Sequence, residues 1–393
     1  MYYGWIIVIA NFFIAFLVGG FIFYSFTGFF EAIVKDMGFT YTQVSLAGSL
    51  RGLEMGLFAP LAGWLVDRFG ARRLASTGIV ISGSGMLLLG LTRSLLSFYG
   101  AFLIIALGAG LCSTVVLISS VVSWFERNQG LAIGIVTSGF ALSGIILPLL
   151  VYLIDSLGWR ETVLLAGLLI LSCGIPLSLL LRESPLQCAS SAHKASSRSL
   201  MSIVKERNLF VLSLCEGLRF MVVSTVVIHI MPYLTSIKVE RVTASFIASS
   251  IPLLSIAGRF GFGFLSDIMD KRLTMALTYS FVVAGMWLLV QGMVLPFAFF
   301  FALGYGGGIS VRGTLLSDYL ETGNYGKALG VLMGFSSVGG VIGPSLAGAV
   351  FDSKGTYEPV WLLYMLASIS SAVLVLFLDD RKRSKGVDHF QSL

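Results

Sequence analysis

Charge is scarce in this chain. Only 12% of its 393 residues are Asp, Glu, Lys or Arg, 56% are hydrophobic, and the mean hydropathy of +0.92 lies far above that of soluble globular chains. This excludes water as the main solvent. Cysteine is scarce too: Cys112, Cys173 and Cys215 fall inside apolar runs and Cys188 in a polar break, with no CxxC and no His-rich spacing, so neither a disulfide framework nor a metal site is indicated. No GxxxxGK[ST] stretch occurs, which leaves no loop to cradle ATP. The first apolar run, Trp5 to Phe30, has no basic leader and is too long for a signal-peptide core, so it reads as a retained span. No buried Ser/His set, paired Asp or metal-ligand cluster is visible, so the chain is not read as an enzyme and no cofactor is implied. The net charge of +6 is scattered over short breaks, which argues for orientation in a membrane rather than for nucleic acid.

What is present in excess is apolar sequence. A helix needs roughly 20 apolar residues to cross the hydrocarbon core, and the runs between charged or turn-rich breaks predict twelve spans near 5–30, 43–66, 74–92, 97–125, 130–153, 161–182, 208–236, 244–266, 273–292, 295–318, 328–351 and 357–378. The 45 Gly and 30 Phe fit interfaces where membrane helices approach closely. With both termini inside, the inner breaks and tail hold most of the Lys and Arg, among them Arg68, Arg72, Arg73, Lys271 and Arg272. Only Lys35, Arg93, Arg160, Lys238, Arg241 and Lys354 fall outside, which sets the orientation N-in, C-in. The longest polar break divides the chain into a six-helix bundle over 1–182, a cytosolic linker over 183–207, a second six-helix bundle over 208–378 and a cytosolic tail over 379–393.

The two halves repeat. Gly130, Ala132, Gly134, Gly144 and Pro148 recur as Gly326, Ala328, Gly330, Gly340 and Pro344; Gly63, Leu65 and Asp67 recur as Gly263, Leu265 and Asp267; the Asp155, Ser156, Gly158 turn recurs as Asp352, Ser353, Gly355. Pro148 and Pro344 each remove a backbone hydrogen bond, and their matched places predict paired hinging.

The stretch Gly63-Trp-Leu-Val-Asp67-Arg68-Phe-Gly70-Ala-Arg72-Arg73 resembles the loop signature of the major facilitator superfamily, and Gly263-Phe-Leu-Ser-Asp267 with Lys271 and Arg272 is its degenerate copy. Tyr3-Gly4-Trp5 and Arg259-x-x-x-Gly263-x-x-x-Asp267 are similar to the monocarboxylate transporters and the oxalate/formate antiporters within it. The resemblance implies an all-α membrane protein of two six-helix bundles, a secondary transporter of a small organic anion. It also implies an inner latch of Asp67, Arg68, Arg72, Arg73 and Asp267. The chain departs from these relatives at three places: Tyr24 stands near the lysine of the mammalian carriers, Ser255 replaces their aspartate, and Leu332 stands near the lysine of the oxalate carrier.

Inside the spans lie four arginines, Arg51, Arg219, Arg259 and Arg312, and two acids, Glu54 and Glu216. An ionised side chain at mid-bilayer is costly by at least ~2.5 kcal/mol and faces a partner or a water-filled path. Arg51 with Glu54 and Glu216 with Arg219 are three apart, so each pair shares a helical face; the former is read as gating or structural. This leaves Arg259 and Arg312 unpaired. Arg259 sits eight residues from the inner end of its span, roughly 12 Å at 1.5 Å per residue, too deep to snorkel easily. A bound carboxylate is its natural counter-charge, with a structural acid on another helix as the alternative; Arg312 is read as a substrate contact or a gate tie. Tyr24, Tyr305, Tyr233 and Asn11 are candidate hydrogen-bonding partners of substrate, or packing residues. Glu216 with Arg219, and His229, are the candidates for proton coupling. Proton symport, anion exchange and export of a hydrophobic anion all stay open, as does a membrane sensor without transport. The expected partners are the anion, a proton and the lipid bilayer. The chain is expected to work as a monomer in the cell membrane, the cytoplasmic membrane in a bacterium.

Overall fold

The computed structural model describes residues 3–122, 124–125, 129–182, 206–319 and 325–378; of the expected linker over 183–207, residues 183–205 lie outside the described residues and Arg207 already opens a helix, and the tail from 379 and Cys188 lie outside them too. Among the described residues the chain is helical throughout, with no strand. Eleven helical stretches are long and apolar enough to span a bilayer: α1 (Tyr3–Met37), α3 (Ala71–Gly90), α4 (Leu95–Val121), α5 (Gly130–Leu157), α6 (Trp159–Leu179), α7 (Arg207–Ser236), α8 (Arg241–Ile268), α9 (Lys271–Val290), α10 (Val294–Leu316), α11 (Ala328–Lys354) and α12 (Glu358–Phe377). The 29-residue helix α2 (Tyr41–Phe69) is the twelfth long helix among the described residues.

The helices begin and end where local chemistry dictates. Thr40 and Gln43 form a capping box before α2, Ser94 and Ser97 another before α4, and Asp270 accepts from the backbone amides of Arg272 and Leu273 at the start of α9. Gly38 ends α1 with φ of +66°, a conformation in which a side chain would be strained. The first helix is longer than the apolar run predicts. It runs past Phe30 through Glu31, Lys35 and Asp36, and the two acids find partners on neighbouring helices: Glu31 on Arg241, and Asp36 on Arg160 and the Trp159 indole. Within α1, Gly19–Tyr24 forms a π-helical segment closed by the Ser25 amide donating to the Gly20 carbonyl. The matched prolines behave differently. Pro148 follows a 3₁₀ turn at Ser143–Ile145, whereas Pro344 lies inside a continuous α-helix.

Two of the four apolar cores stay within one half, and the other two cross the boundary by only a residue or two. One joins α1 to α6 and admits only Ile228 from α7; another gathers α7 to α12 and admits Leu147 and Val151 from α5. The large apolar side chains left exposed, such as Leu96, Phe260, Phe264 and Leu295, face where lipid would be. The halves meet along two helix crossings, α2 on α11 and α5 on α8, each made close by a glycine. A Cβ at Gly348 would lie 2.8 Å from the Tyr41 carbonyl, and one at Gly144 would overlap the Pro252 ring.

Candidate functional site

Midway along α7, Glu216 and Arg219 pair as their spacing predicts: Arg219 Nε and Nη2 donate to the two carboxylate oxygens at 2.9 and 2.7 Å. Both side chains are buried. Here the expectation for Arg312 fails. It is not unpaired: from α10 its Nη1 reaches Glu216 Oε2 at 3.2 Å, and the Tyr279 hydroxyl of α9 donates to Oε1 at 3.3 Å. A carboxylate has about four acceptor sites, so the pair within α7 leaves room for donors from two other helices, an arrangement no spacing within one helix reveals. The cluster contains two guanidiniums and one carboxylate, and Arg219 Nη1 is buried with no partner among the described residues; a Cβ at Gly308 of α10 would lie 3.4 Å from it. Tyr305, Gly308 and Arg312 recur at helical spacing on the face of α10 that meets this cluster.

Arg259 stands apart from that cluster. From α8 it crosses toward the other half, where Nη1 lies 3.5 Å from the Thr137 carbonyl of α5, while Nε is buried with no partner among the described residues. No acid is paired with it among the described residues. Tyr24, at the end of the π-helical segment, is within electrostatic reach of Arg259, and its hydroxyl is 3.4 Å from that of Tyr305, which is in turn within reach of Arg219. The tyrosine pair therefore bridges the halves between two cationic centres, one of them without a counter-charge among the described residues.

The other candidates are placed elsewhere. Asn11 is fully buried and donates to Ser120 of α4 at 2.7 Å, tying α1 to its own half. Tyr233 donates to the Leu289 carbonyl and lies edge-on to Tyr357 and Trp361. His229 sits between the halves: Nε2 is 3.0 Å from both Ser45 Oγ of α2 and the Pro344 carbonyl, and Nδ1 is 3.0 Å from the Tyr357 hydroxyl. Arg68, Arg72 and Arg73 are exposed at the inner end, Arg68 over the Phe69 ring. Arg51, Glu54 and Asp67 lie on α2 with side chains outside the described residues. Asp267 is exposed, and Arg272 pairs at 3.0 Å with Asp270 instead, whose carboxyl is held below its usual range by that hydrogen bond. Asp270 escaped the sequence reading; its signal is an acid directly before a basic helix start.

On the face opposite these basic loops the halves are joined. Ser49 meets Ser345 at 3.3 Å, the Met231 amide donates to Thr27, and Thr235 hydrogen-bonds to Glu31. Arg241 lies 3.1 Å from Asp155 and 3.7 Å from Glu31, and Asp352 accepts from the first turn of α2. This conformation is closed on that face.

A model of the family described as Major Facilitator Superfamily matches residues 12–292 and 209–392. Monocarboxylate transporter 12 of Rattus norvegicus is 25% identical over 385 residues, covering 88% of this chain and 79% of its own. Monocarboxylate transporter 13 of Bos taurus is 26% identical over 396 residues, covering 95% and 89%. An agnestins efflux protein of Paecilomyces divaricatus is 25% identical over 354 residues, covering 88% and 79%. Among solved structures, the nucleoside transporter NupG superimposes with a TM-score of 0.78 at 12% identity over 95% of this chain and 100% of that one. A bacterial homolog of the human lysosomal transporter Spinster, inward-facing and occupied, gives 0.70 at 15% identity over 95% and 94%. At these identities the structural likeness shows the fold.

Proposed function

The chain belongs to the major facilitator superfamily, and on that premise we propose that it is a secondary active transporter of a small organic anion, a monocarboxylate foremost, carried across the cell membrane as two six-helix bundles, 1–182 and 208–378, rock about a central site. Arg259 carries this reading. A guanidinium deep in a span, reaching across the boundary between the halves with no acid paired to it among the described residues, has an anion as its natural complement, and its planar fork matches a carboxylate with two parallel hydrogen bonds. The relatives named monocarboxylate transporters support the same anion class. Tyr24 and Tyr305 would add hydrogen bonds beside it.

Coupling to a proton follows from charge conservation in the neighbouring cluster. A carboxylate that takes the Arg312 bond from Glu216 frees an oxygen lone pair, and a proton bound there leaves the charge of the site unchanged. Anion and proton then enter and leave together. The test is uptake into proteoliposomes from a panel of mono- and dicarboxylates, with and without an imposed pH gradient. Arg259→Lys keeps the charge but loses the fork; one lost charge-assisted hydrogen bond, ~1.5–3 kcal/mol, weakens apparent substrate affinity by about 10- to 150-fold. Wild-type uptake by that variant would sink the assignment, and uptake that ignores the gradient but responds to internal carboxylate would replace symport with exchange. The similarity to an efflux protein favours a second reading, export of a larger hydrophobic anion; preferential counterflow of such a compound over short carboxylates would select it.

A further inference from the structure

The repeated Asp-Ser-x-Gly turn has no part in the central site, yet both copies stand at the junction of the halves. Asp352, at the end of α11, accepts from the backbone amides of Tyr41 and Thr42 at 2.9 and 2.8 Å and from the Thr42 hydroxyl at 2.5 Å. It therefore occupies the first turn of α2, in the opposite half, where two amides lack intrahelical partners and the helix dipole favours negative charge. Thr40 already caps that helix through Gln43, so Asp352 is a second, intruding cap. Asp155, at the end of α5, meets Arg241, the first residue of α8, in the other half. Arg241 also touches the Gly28 carbonyl and Glu31.

The two contacts are related by the same duplication that relates the halves. Asp155 and Asp352 are repeat partners, and Tyr41 opening α2 stands two hundred positions before Arg241 opening α8, the offset that also relates Asp67 to Asp267. Each acid thus closes on the start of the second helix of the opposite half. Beneath each latch runs one of the glycine-tightened crossings, Gly348 under Asp352 and Gly144 on the α5–α8 side.

We propose that Asp155 and Asp352 form a duplicated outer latch that holds the halves shut on the face away from the basic loops, and that both arms must release before substrate can enter from that side. The proposal rests on the alternating-access reading, and its test needs no substrate, so the two can fail separately. Ser49, buried at 1% exposure behind the Asp352 arm, becomes the reporter as Ser49→Cys in a chain whose native cysteines are replaced. The rate of its labelling by a thiol reagent in detergent reads the open population. Asp352→Asn and Asp155→Asn should each raise that rate about tenfold and the double variant by roughly the product, because both arms bias one equilibrium. Asp36→Asn, which breaks an outer-face ion pair within one half, should leave it unchanged. Unchanged labelling in the double variant overturns the latch, a response from one arm alone overturns the duplication, and an equal rise with Asp36→Asn overturns the assignment to the junction between the halves.

Discussion

Replacing Glu216 by Gln tests the cationic cluster on both stability and coupling. The carboxylate receives four hydrogen bonds: two from Arg219, one from Arg312 and one from Tyr279. A glutamine keeps one acceptor oxygen with two lone pairs and turns an NH₂ group toward donors, so at least two donors lose their acceptor and two guanidiniums face each other without the intervening charge. Removing one partner of a buried ion pair typically destabilises by ~3–5 kcal/mol, and the complete burial of Glu216 places this site in that range. Adding Arg219→Met removes one of the stranded cations, so the double variant should recover ~1–3 kcal/mol relative to the sum of the singles. Equilibrium unfolding in mixed detergent micelles, read by tryptophan fluorescence, measures the cycle. In proteoliposomes Glu216→Gln should retain counterflow but lose the acceleration by a pH gradient. A variant within about 1 kcal/mol of the parent, with strictly additive effects, would refute the buried network; gradient-driven uptake equal to the parent would leave Glu216 as a structural partner only.

Other changes probe separate parts of the cycle. Asp67→Asn, at the inner signature loop, should insert normally and slow exchange between the two open states; unaltered single-turnover exchange would reduce Asp67 to a determinant of topology. Gly348→Val should block outer closure, since even a Cβ there would lie 2.8 Å from the Tyr41 carbonyl, so a Cys at Ser49 should label as fast as in the latch double variant while transport falls; slow labelling would show that the crossing can yield. Asp270→Ala should lower stability by ~0.5–2 kcal/mol through the lost cap, the pair with Arg272 adding little at its exposed position. Because the folded carboxyl titrates below its usual range, that contribution is present above about pH 4 and lost as pH falls through the depressed value. An Ala variant matching the parent at neutral pH would discard the cap.

The span count and the duplication were legible because bilayer thickness and a fixed offset leave marks in composition. The Glu216–Arg219 pair was legible for a similar reason, being local to one helical face. Arg312 reads as unpaired because its partner lies 96 positions away on another helix, and periodicity carries no information about which faces meet. Glu31 was hidden by the hydropathy pattern, which ends the first span where charge begins although the helix continues to its interhelical partners. Tyr24 and Tyr305 were picked as polar groups in spans, and their meeting across the halves depends on a π-helical turn that no propensity signals. The repeated Asp-Ser-x-Gly turn was visible as a repeat, but it read as a loop because its partners are a backbone and a residue of the opposite half.

The two arms differ in what holds each acid, and this separates their evolutionary freedom. Asp352 is gripped mainly by amides of the main chain, which every residue except proline supplies. Substitution at Tyr41 can therefore proceed without touching the main-chain contact, provided proline is avoided, and selection on side chains rests on Asp352 and on the Thr42 hydroxyl that also donates to it. Asp155 and Arg241 are joined through side chains alone. Across descendants of this chain the first arm should appear as one invariant acid opposite a hydroxyl residue in an otherwise drifting first turn, and the second as two positions that change together.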